Sequence, residues 1–297
     1  MTLQHLTAAD DLRAFVDRFD TFLLDMDGVL WQGSDIIDGA RETLAQFRAM
    51  GKRLIFVTNN STKSRDSYVE KLTKLGFTGV TADEIFGSSY ATACYFTTID
   101  FPKDKLIYVM GQQGIVDEFT AQGFQTCGLE DQGAVFHGID ELIAIQPDER
   151  IGAVVCGFDG YLNYTKLAKA HTYLQDPEVL FIATNADSQY PVSGRTFPGT
   201  GALFQPLITS TGRQPTVIGK PHATMLDVIV ATHHLDPHRT CMVGDRLDTD
   251  IAFGRHGGCA TLLVLSGVTR EDQVPSAPED MRPDYIVPSL GAFQDVL

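Results

Sequence analysis

Residues 22–30 read FLLDMDGVL: an apolar run, Phe22 to Leu24, stops at Asp25, and a second carboxylate, Asp27, follows just before Gly28. A carboxylate at the edge of a core is costly to desolvate, and two side by side repel. Stability alone gives no reason for such a pair. Taken by itself it is an ambiguous turn, read equally well as a solvated strand end or as part of a site. An EF-hand loop starting at Asp25 is excluded, because Leu30 takes the sixth position and Ile36 the twelfth, where that loop needs glycine and glutamate.

Outward from this stretch, short continuous apolar runs alternate with helical patterns. Phe22–Asp25, Leu54–Thr58, Thr216–Gly219, Cys241–Gly244, Thr261–Leu265 and Tyr285–Val287 read as strands buried on both faces. Ala40, Leu44 and Phe47, then Val69, Leu72 and Leu75, then Met225, Leu226, Ile229 and Val230 fall at helical spacing, the first two stripes stopped by Gly51 and Gly76. Strand–helix–strand alternation predicts a doubly wound α/β fold with a parallel sheet. Further strands in KLIYVMG, IGAVVCGFD and VLFIATNAD predict a smaller α/β domain inserted between the second and third core strands. The expected division is core 1–102, insert 103–213 and core 214–297.

Composition narrows the partners. With 297 residues and a net charge of −15, the chain is a poor match for a nucleic-acid backbone or an anionic membrane. No stretch has the apolar length of a membrane span, and acids stand where a signal peptide needs an apolar core. The five cysteines are scattered and odd in number, as for free thiols in a reducing compartment. A cytoplasmic location is expected.

Four of the expected core strands end in polar residues: Asp25, then Thr58-Asn59-Asn60, then Lys220, then Asp245 with Asp248 and Asp250 behind it. In open parallel sheets, ligands bind at the carboxyl ends of strands, so these groups are expected to converge. Clustered carboxylates suit a hard cation such as Mg²⁺, while a lysine with Asn and Thr donors suits phosphate oxygens. Backbone N–H groups around Gly28 would add an anion nest. Asp25 is placed to attack phosphorus, and Asp27 to protonate the leaving oxygen and later deprotonate water.

DMDGVL, VTNNST, GKP and VGDRLDTDI, in this order and each at a strand end, resemble the four motifs of haloacid dehalogenase (HAD) superfamily phosphatases. The long gap between the second and third motifs resembles the C2-capped subgroup. TNNSTKSR, FIATNADSQYP and TFPGTGAL are similar to its eukaryotic 4-nitrophenylphosphatase and phosphoglycolate phosphatase branch, which includes pyridoxal phosphatases. The resemblance implies Mg²⁺ on the side chains of Asp25 and Asp245 and the carbonyl of Asp27, with Asp250 in support. It also implies phosphate on Thr58, Asn59, Asn60 and Lys220, and a homodimer through the cap. The expected substrate is a small phosphorylated metabolite, foremost 2-phosphoglycolate, with pyridoxal phosphate or a sugar phosphate as alternatives. A catalytically silent phosphometabolite-binding protein is the alternative of another class.

Other residues have plainer readings. Asn59-Asn60 can be a helix cap, Asp248 a helix-start acid and PGTG (198–201) a turn before a helix. Trp31 can stack on a substrate or pack its own loop. His233 and His234 fit a surface helix end. Tyr190 stands where the resemblance places a histidine in pyridoxal phosphatases, which makes it a candidate specificity residue.

Overall fold

The computed structural model describes residues 3–192 and 195–296. The chain divides into two units. The first takes the chain up to Thr58, then Asp66–Phe86, then from Lys220 onward; the second takes Asn59–Arg65 and Gly87–Gly219.

The first unit is built on a seven-stranded sheet in the order Gln4–His5, Tyr285–Val287, Ala260–Val264, Thr240–Gly244, Thr21–Leu24, Arg53–Thr58, Ile85–Gly87. The ladders joining the first six of these are parallel. Because strand side chains alternate between faces, continuous apolar runs supply both. Phe22, Leu24, Leu54, Phe56, Val243, Leu262 and Val287 pack on one face with Phe15 and Val16 of helix Ala9–Arg18 and Leu44 and Phe47 of helix Ala40–Ala49. Leu263 and Ile286 point the other way and pack with Ile251 and Val274. The helices expected from the stripes at 40–47, 69–75 and 225–230 form at Ala40–Ala49, Arg65–Lys74 and Ala223–His233.

The second unit has its own five-stranded parallel sheet, ordered Thr216–Val217, Leu180–Ala183, Ile151–Cys156, Leu106–Met110, Gln125–Cys127. Its core includes Tyr108, Met110, Val154, Phe181, Phe204 and Leu207. An antiparallel hairpin, Gln189–Val192 with Arg195–Pro198, stands apart from that sheet.

The structure departs from expectation at the sheet edges, where Gln4–His5 and Ile85–Gly87 are strands that were not expected, and at both boundaries of the insert. Thr216–Val217 pairs with Leu180–Ala183 in the second sheet and is not a core strand. A two-residue apolar strand reads the same in either sheet, and only its partner decides. The second unit also begins before residue 103, because helix Ser88–Thr98 belongs to it. The ring of Phe96 on that helix lies 4.8, 5.0 and 5.9 Å from those of Phe101, Phe119 and Phe124.

This four-ring cluster should hold the helix in place. Truncation by Phe96→Ala is expected to destabilise the protein by about 3–5 kcal/mol in denaturant unfolding, the usual cost of an excavated aromatic. A loss near zero would show that the helix is held by something else.

Candidate active site

In the first unit the carboxyl ends of three strands carry Asp25, Thr58 and Asp245, whereas Lys220 follows Thr216–Val217, which is not a strand of this sheet. The ladder continues one residue past Leu24, Asp25 N–H donating to Val243 O at 2.9 Å. The chain then turns tightly. Leu30 N–H donates to Met26 O at 2.8 Å and Gly28 N–H to Trp31 O at 2.7 Å. These N–H groups are committed within the turn, so the anion nest expected around Gly28 is not formed by them. The Asp27 side chain is exposed, and its Oδ1 accepts from Trp31 Nε1 at 2.7 Å. Trp31 itself is 1% exposed, with Lys71 Nζ 3.7 Å from its ring centre. Its face is covered, which rules out the substrate-stacking reading and leaves the loop-packing one.

Strand Arg53–Thr58 delivers Thr58, buried, at its end. Lys220 is also buried. Its Nζ donates to Asp25 Oδ1 and Asp250 Oδ1, both at 2.7 Å, and to Val57 O at 3.1 Å. Asp250 has a second task, its Oδ2 accepting from Asp245 N–H at 3.2 Å and Arg246 N–H at 3.1 Å. It therefore fixes the backbone of Asp245 while holding the lysine. Asp248 points away, paired with Arg246 at 2.8 Å on the surface. His234 is exposed, and His233 is half-buried with its ring 5.6 Å from that of Phe86.

Asp245 sits in a slot made by two glycines. A Cβ on Gly28 would lie 2.4 Å from its Oδ2, and one on Gly267 only 1.9 Å from it. Gly28 also has φ of +84°, which favours glycine on its own account. Val268 N–H donates to Asp245 Oδ2 at 2.7 Å, Thr269 N–H to Asp245 O at 3.1 Å and Ser266 Oγ to Gly28 O at 2.7 Å. The loop 266–269 thus ties the Asp245 turn to the Asp27 turn. Sequence reading passed it over, although SGVT following a buried strand was available as a cue.

Carboxylate oxygens of Asp25, Asp245 and Asp250 lie within 4.8 Å of one another. At an effective dielectric of about 20, two unit charges at that distance repel by roughly 3 kcal/mol. Burial, aided by Asp250 and Asp245 and opposed by Lys220, pushes the Asp25 carboxyl well above the usual range. Asp245 is pushed up to about 7, by burial first and then by Asp250. Burial works against the Lys220 ammonium, but Asp25 and Asp250 outweigh it and raise its pKa. Three clustered acids, Asp245 and Asp250 buried and Asp25 half-buried, outnumber the one ammonium among them and, once ionised, carry more negative charge than it neutralises. That all-oxygen set fits a hard divalent cation.

Asn59, Asn60 and Tyr190 belong to the second unit. Asn59 Nδ2 donates to Asp187 Oδ1 at 3.2 Å, and Asn59 O accepts from Ser88 Oγ at 2.6 Å and Asn185 Nδ2 at 2.8 Å. Asn60 Oδ1 accepts from Thr62 N–H at 2.9 Å and Thr62 Oγ1 at 2.8 Å, a local Asx turn. Asn185 and Asp187, with Ser88, therefore help hold Asn59, a task for the TNAD stretch that its sequence did not disclose. Tyr190 lies on the hairpin, its ring 4.5 Å from that of Phe158. PGTG is not a separate turn before the helix: Pro198 ends strand Arg195–Pro198, Gly199 is the N-cap, and Thr200 and Gly201 open helix Thr200–Thr211.

A family model for haloacid dehalogenase-like hydrolases matches residues 22–125, and an HAD-hydrolase-like one matches 217–293. The chain is 44% identical to phosphoglycolate phosphatase 1A, chloroplastic, of Arabidopsis thaliana, over 99% of this chain and 80% of that one. It is 41% identical to the 4-nitrophenylphosphatase of Schizosaccharomyces pombe over 98% of each. Among solved structures, a glycerol phosphate phosphatase of Mycobacterium tuberculosis in complex with magnesium superposes with a TM-score of 0.80. That structure is 28% identical over 94% of this chain and 78% of its own.

The raised Asp245 pKa has a measurable consequence. Between the ordinary carboxylate range and about 7, the folded protein binds more protons at Asp245 than the unfolded chain does. Without metal, stability therefore falls as pH rises through that window. A cation among the carboxylates offsets the loss, so saturating Mg²⁺ should raise Tm more at about pH 8 than at about pH 5. Equal gains at both would show that the cation does not bind the ionised cluster.

Proposed function

Since this chain belongs to the haloacid dehalogenase-like hydrolases and is a phosphoric monoester hydrolase, we propose that it is a Mg²⁺-dependent phosphatase of small phosphate esters, foremost 2-phosphoglycolate, working through an aspartyl-phosphate on Asp25. The observation that carries this reading is the Lys220 ammonium held between Asp25 and Asp250, beside Asp245. A buried cation touching the nucleophile is where a dianionic phosphate finds attraction on a protein of charge −15.

Lys220 holds Asp25 Oδ1, which leaves Oδ2 as the attacking oxygen. As the O–P bond of Oδ2 forms, the ester P–O bond breaks, and Asp27 gives its proton to the departing oxygen. Asp27 then takes a proton from water, whose oxygen attacks the same phosphorus and releases phosphate and the Asp25 carboxylate. Thr58 and Lys220, with Asn59 and Asn60 next to Thr58 in the chain, bind the phosphate oxygens. Asp25, Asp245 and the carbonyl of Asp27 would hold Mg²⁺, steadied through Asp250. When bound, the cation supplies positive charge that lowers the repulsion between carboxylate and phosphate. Tyr190 is the proposed discriminator among esters.

A second copy of the chain is the proposed partner. Val135, Ile139 and Ile143 are 65%, 71% and 67% exposed on the second unit, beside the Phe136–Tyr164 ring pair. An apolar surface of this kind is what a cap-to-cap dimer would cover. Sedimentation should show a dimer, and Ile139→Asp with Ile143→Asp should yield monomer; a monomer at the outset, or a dimer untouched by both changes, would refute this.

The deciding experiment ranks kcat/KM over 2-phosphoglycolate, glycerol phosphate, pyridoxal phosphate, a sugar phosphate and 4-nitrophenyl phosphate. Asp25→Asn is expected to lower turnover below detection, by a factor of at least about a million, with the fold intact. Removal of metal by EDTA should stop the wild-type enzyme and Mg²⁺ restore it. Appreciable turnover by Asp25→Asn would remove the nucleophile assignment, and metal-independent turnover the cation.

A further inference from the structure

We propose that Trp31 is the positioning residue for Asp27, its indole N–H fixing the carboxylate so that one defined oxygen exchanges the proton. This inference rests on the reading of Asp27 as general acid and base.

An exposed aspartate on a turn has several rotamers open to it, and proton transfer needs the acid within hydrogen-bond reach of the leaving oxygen. Asp27 is exposed, but its Oδ1 is bound by Trp31 Nε1 at 2.7 Å. The donor is itself immobile. Trp31 is 1% exposed within the apolar cluster that holds Met26, Val29, Leu30 and Leu72. Its main chain is locked to the same turn, Trp31 O accepting from Gly28 N–H at 2.7 Å, and a β-bridge joins Asp27 to Trp31. A short antiparallel hairpin, Trp31–Gln32 with Asp35–Ile36, follows directly and braces the segment.

Indole chemistry adds direction to this rigidity. The indole N–H donates and cannot accept, so the oxygen it touches stays an acceptor. Oδ1 is thereby assigned to the tether, and Oδ2 is left to carry the proton to the leaving oxygen. Lys71 Nζ lies 3.7 Å from the ring centre. A cation on the face of an indole draws on its π electrons and makes the N–H a better donor. The one tryptophan of the chain thus joins the apolar core to the proton-transfer group.

The test compares leaving groups, because a merely structural tryptophan would not sense them. Trp31→Phe removes the N–H, and β-benzothienylalanine at position 31 replaces it by sulfur with the ring shape kept, which guards against misfolding. kcat/KM reports the steps through formation of the phosphoenzyme. For glycerol phosphate, whose alkoxide needs a proton, it should fall about tenfold in both variants. For 4-nitrophenyl phosphate, whose phenolate needs little help, it should stay within about twofold, with Tm of the benzothienyl protein unchanged. In an Asp27→Asn background the same replacement should cost nothing further. Equal losses on the two esters, or no loss on either, in the benzothienyl protein would overturn the proposal. Asp27→Asn alone keeps the two readings apart. If it spares 4-nitrophenyl phosphate while the Trp31 variants do not discriminate, positioning fails; if it is itself indifferent to the leaving group, the general-acid reading fails and takes the inference with it.

Discussion

One buried ammonium makes the rest of the first unit's site possible. Lys220 Nζ touches a carboxylate at the end of strand Thr21–Leu24, a carbonyl within strand Arg53–Thr58 and Asp250, which follows strand Thr240–Gly244. Three acids so close could not remain charged in a low-dielectric site without such a partner. The lysine opposes the rise in the Asp25 pKa that burial and the neighbouring acids cause, and it links segments that are remote in sequence. What it does not neutralise is the excess over one charge, and that excess is the standing attraction for a divalent cation.

A second arrangement serves Asn59 within the other unit. Its side chain and carbonyl are held by Asp187, Asn185 and Ser88. The loop bearing Asp187 is in turn gripped by helix Thr200–Thr211, where Gly199 N–H donates to Ser188 O at 2.9 Å and Gly201 N–H to Asp187 O at 2.9 Å. PGTG is thus a clasp on the segment that orients Asn59, with Tyr190 three residues beyond Asp187.

The strand ends were legible because buried parallel strands are continuous apolar runs, and a carboxylate or lysine at the end of one is conspicuous. Asp25, Thr58 and Asp245 were found in that way, and Lys220 through a strand, Thr216–Val217, that lies in the other sheet. What escaped depended on contacts between residues distant in sequence. Thr216–Val217 is too short for its pattern to name its sheet. Helix Ser88–Thr98 is rich in Ala, Ser and Thr and has little apolar stripe, so its contacts, the rings about Phe96 and the Ser88 bond to Asn59, show where it belongs. Trp31 was visible as a residue, but a side-chain bond across a turn has no periodicity to betray it. That the N–H groups of Gly28 and Leu30 are spent inside the turn was hidden for a related reason, since which N–H groups a turn uses internally depends on its dihedrals.

The slot around Asp245 bears on how the sequence can drift. At Gly28 and Gly267 the space a methyl group would need is already filled by the carboxylate. Neither glycine can be replaced without displacing the acid, although each lies in a loop, where substitution is ordinarily cheap. The three positions form one heritable unit spread over most of the chain. A descendant that changed either glycine would be expected to have given up Asp245, and the chemistry with it, while leaving the surrounding strands free to fold as before.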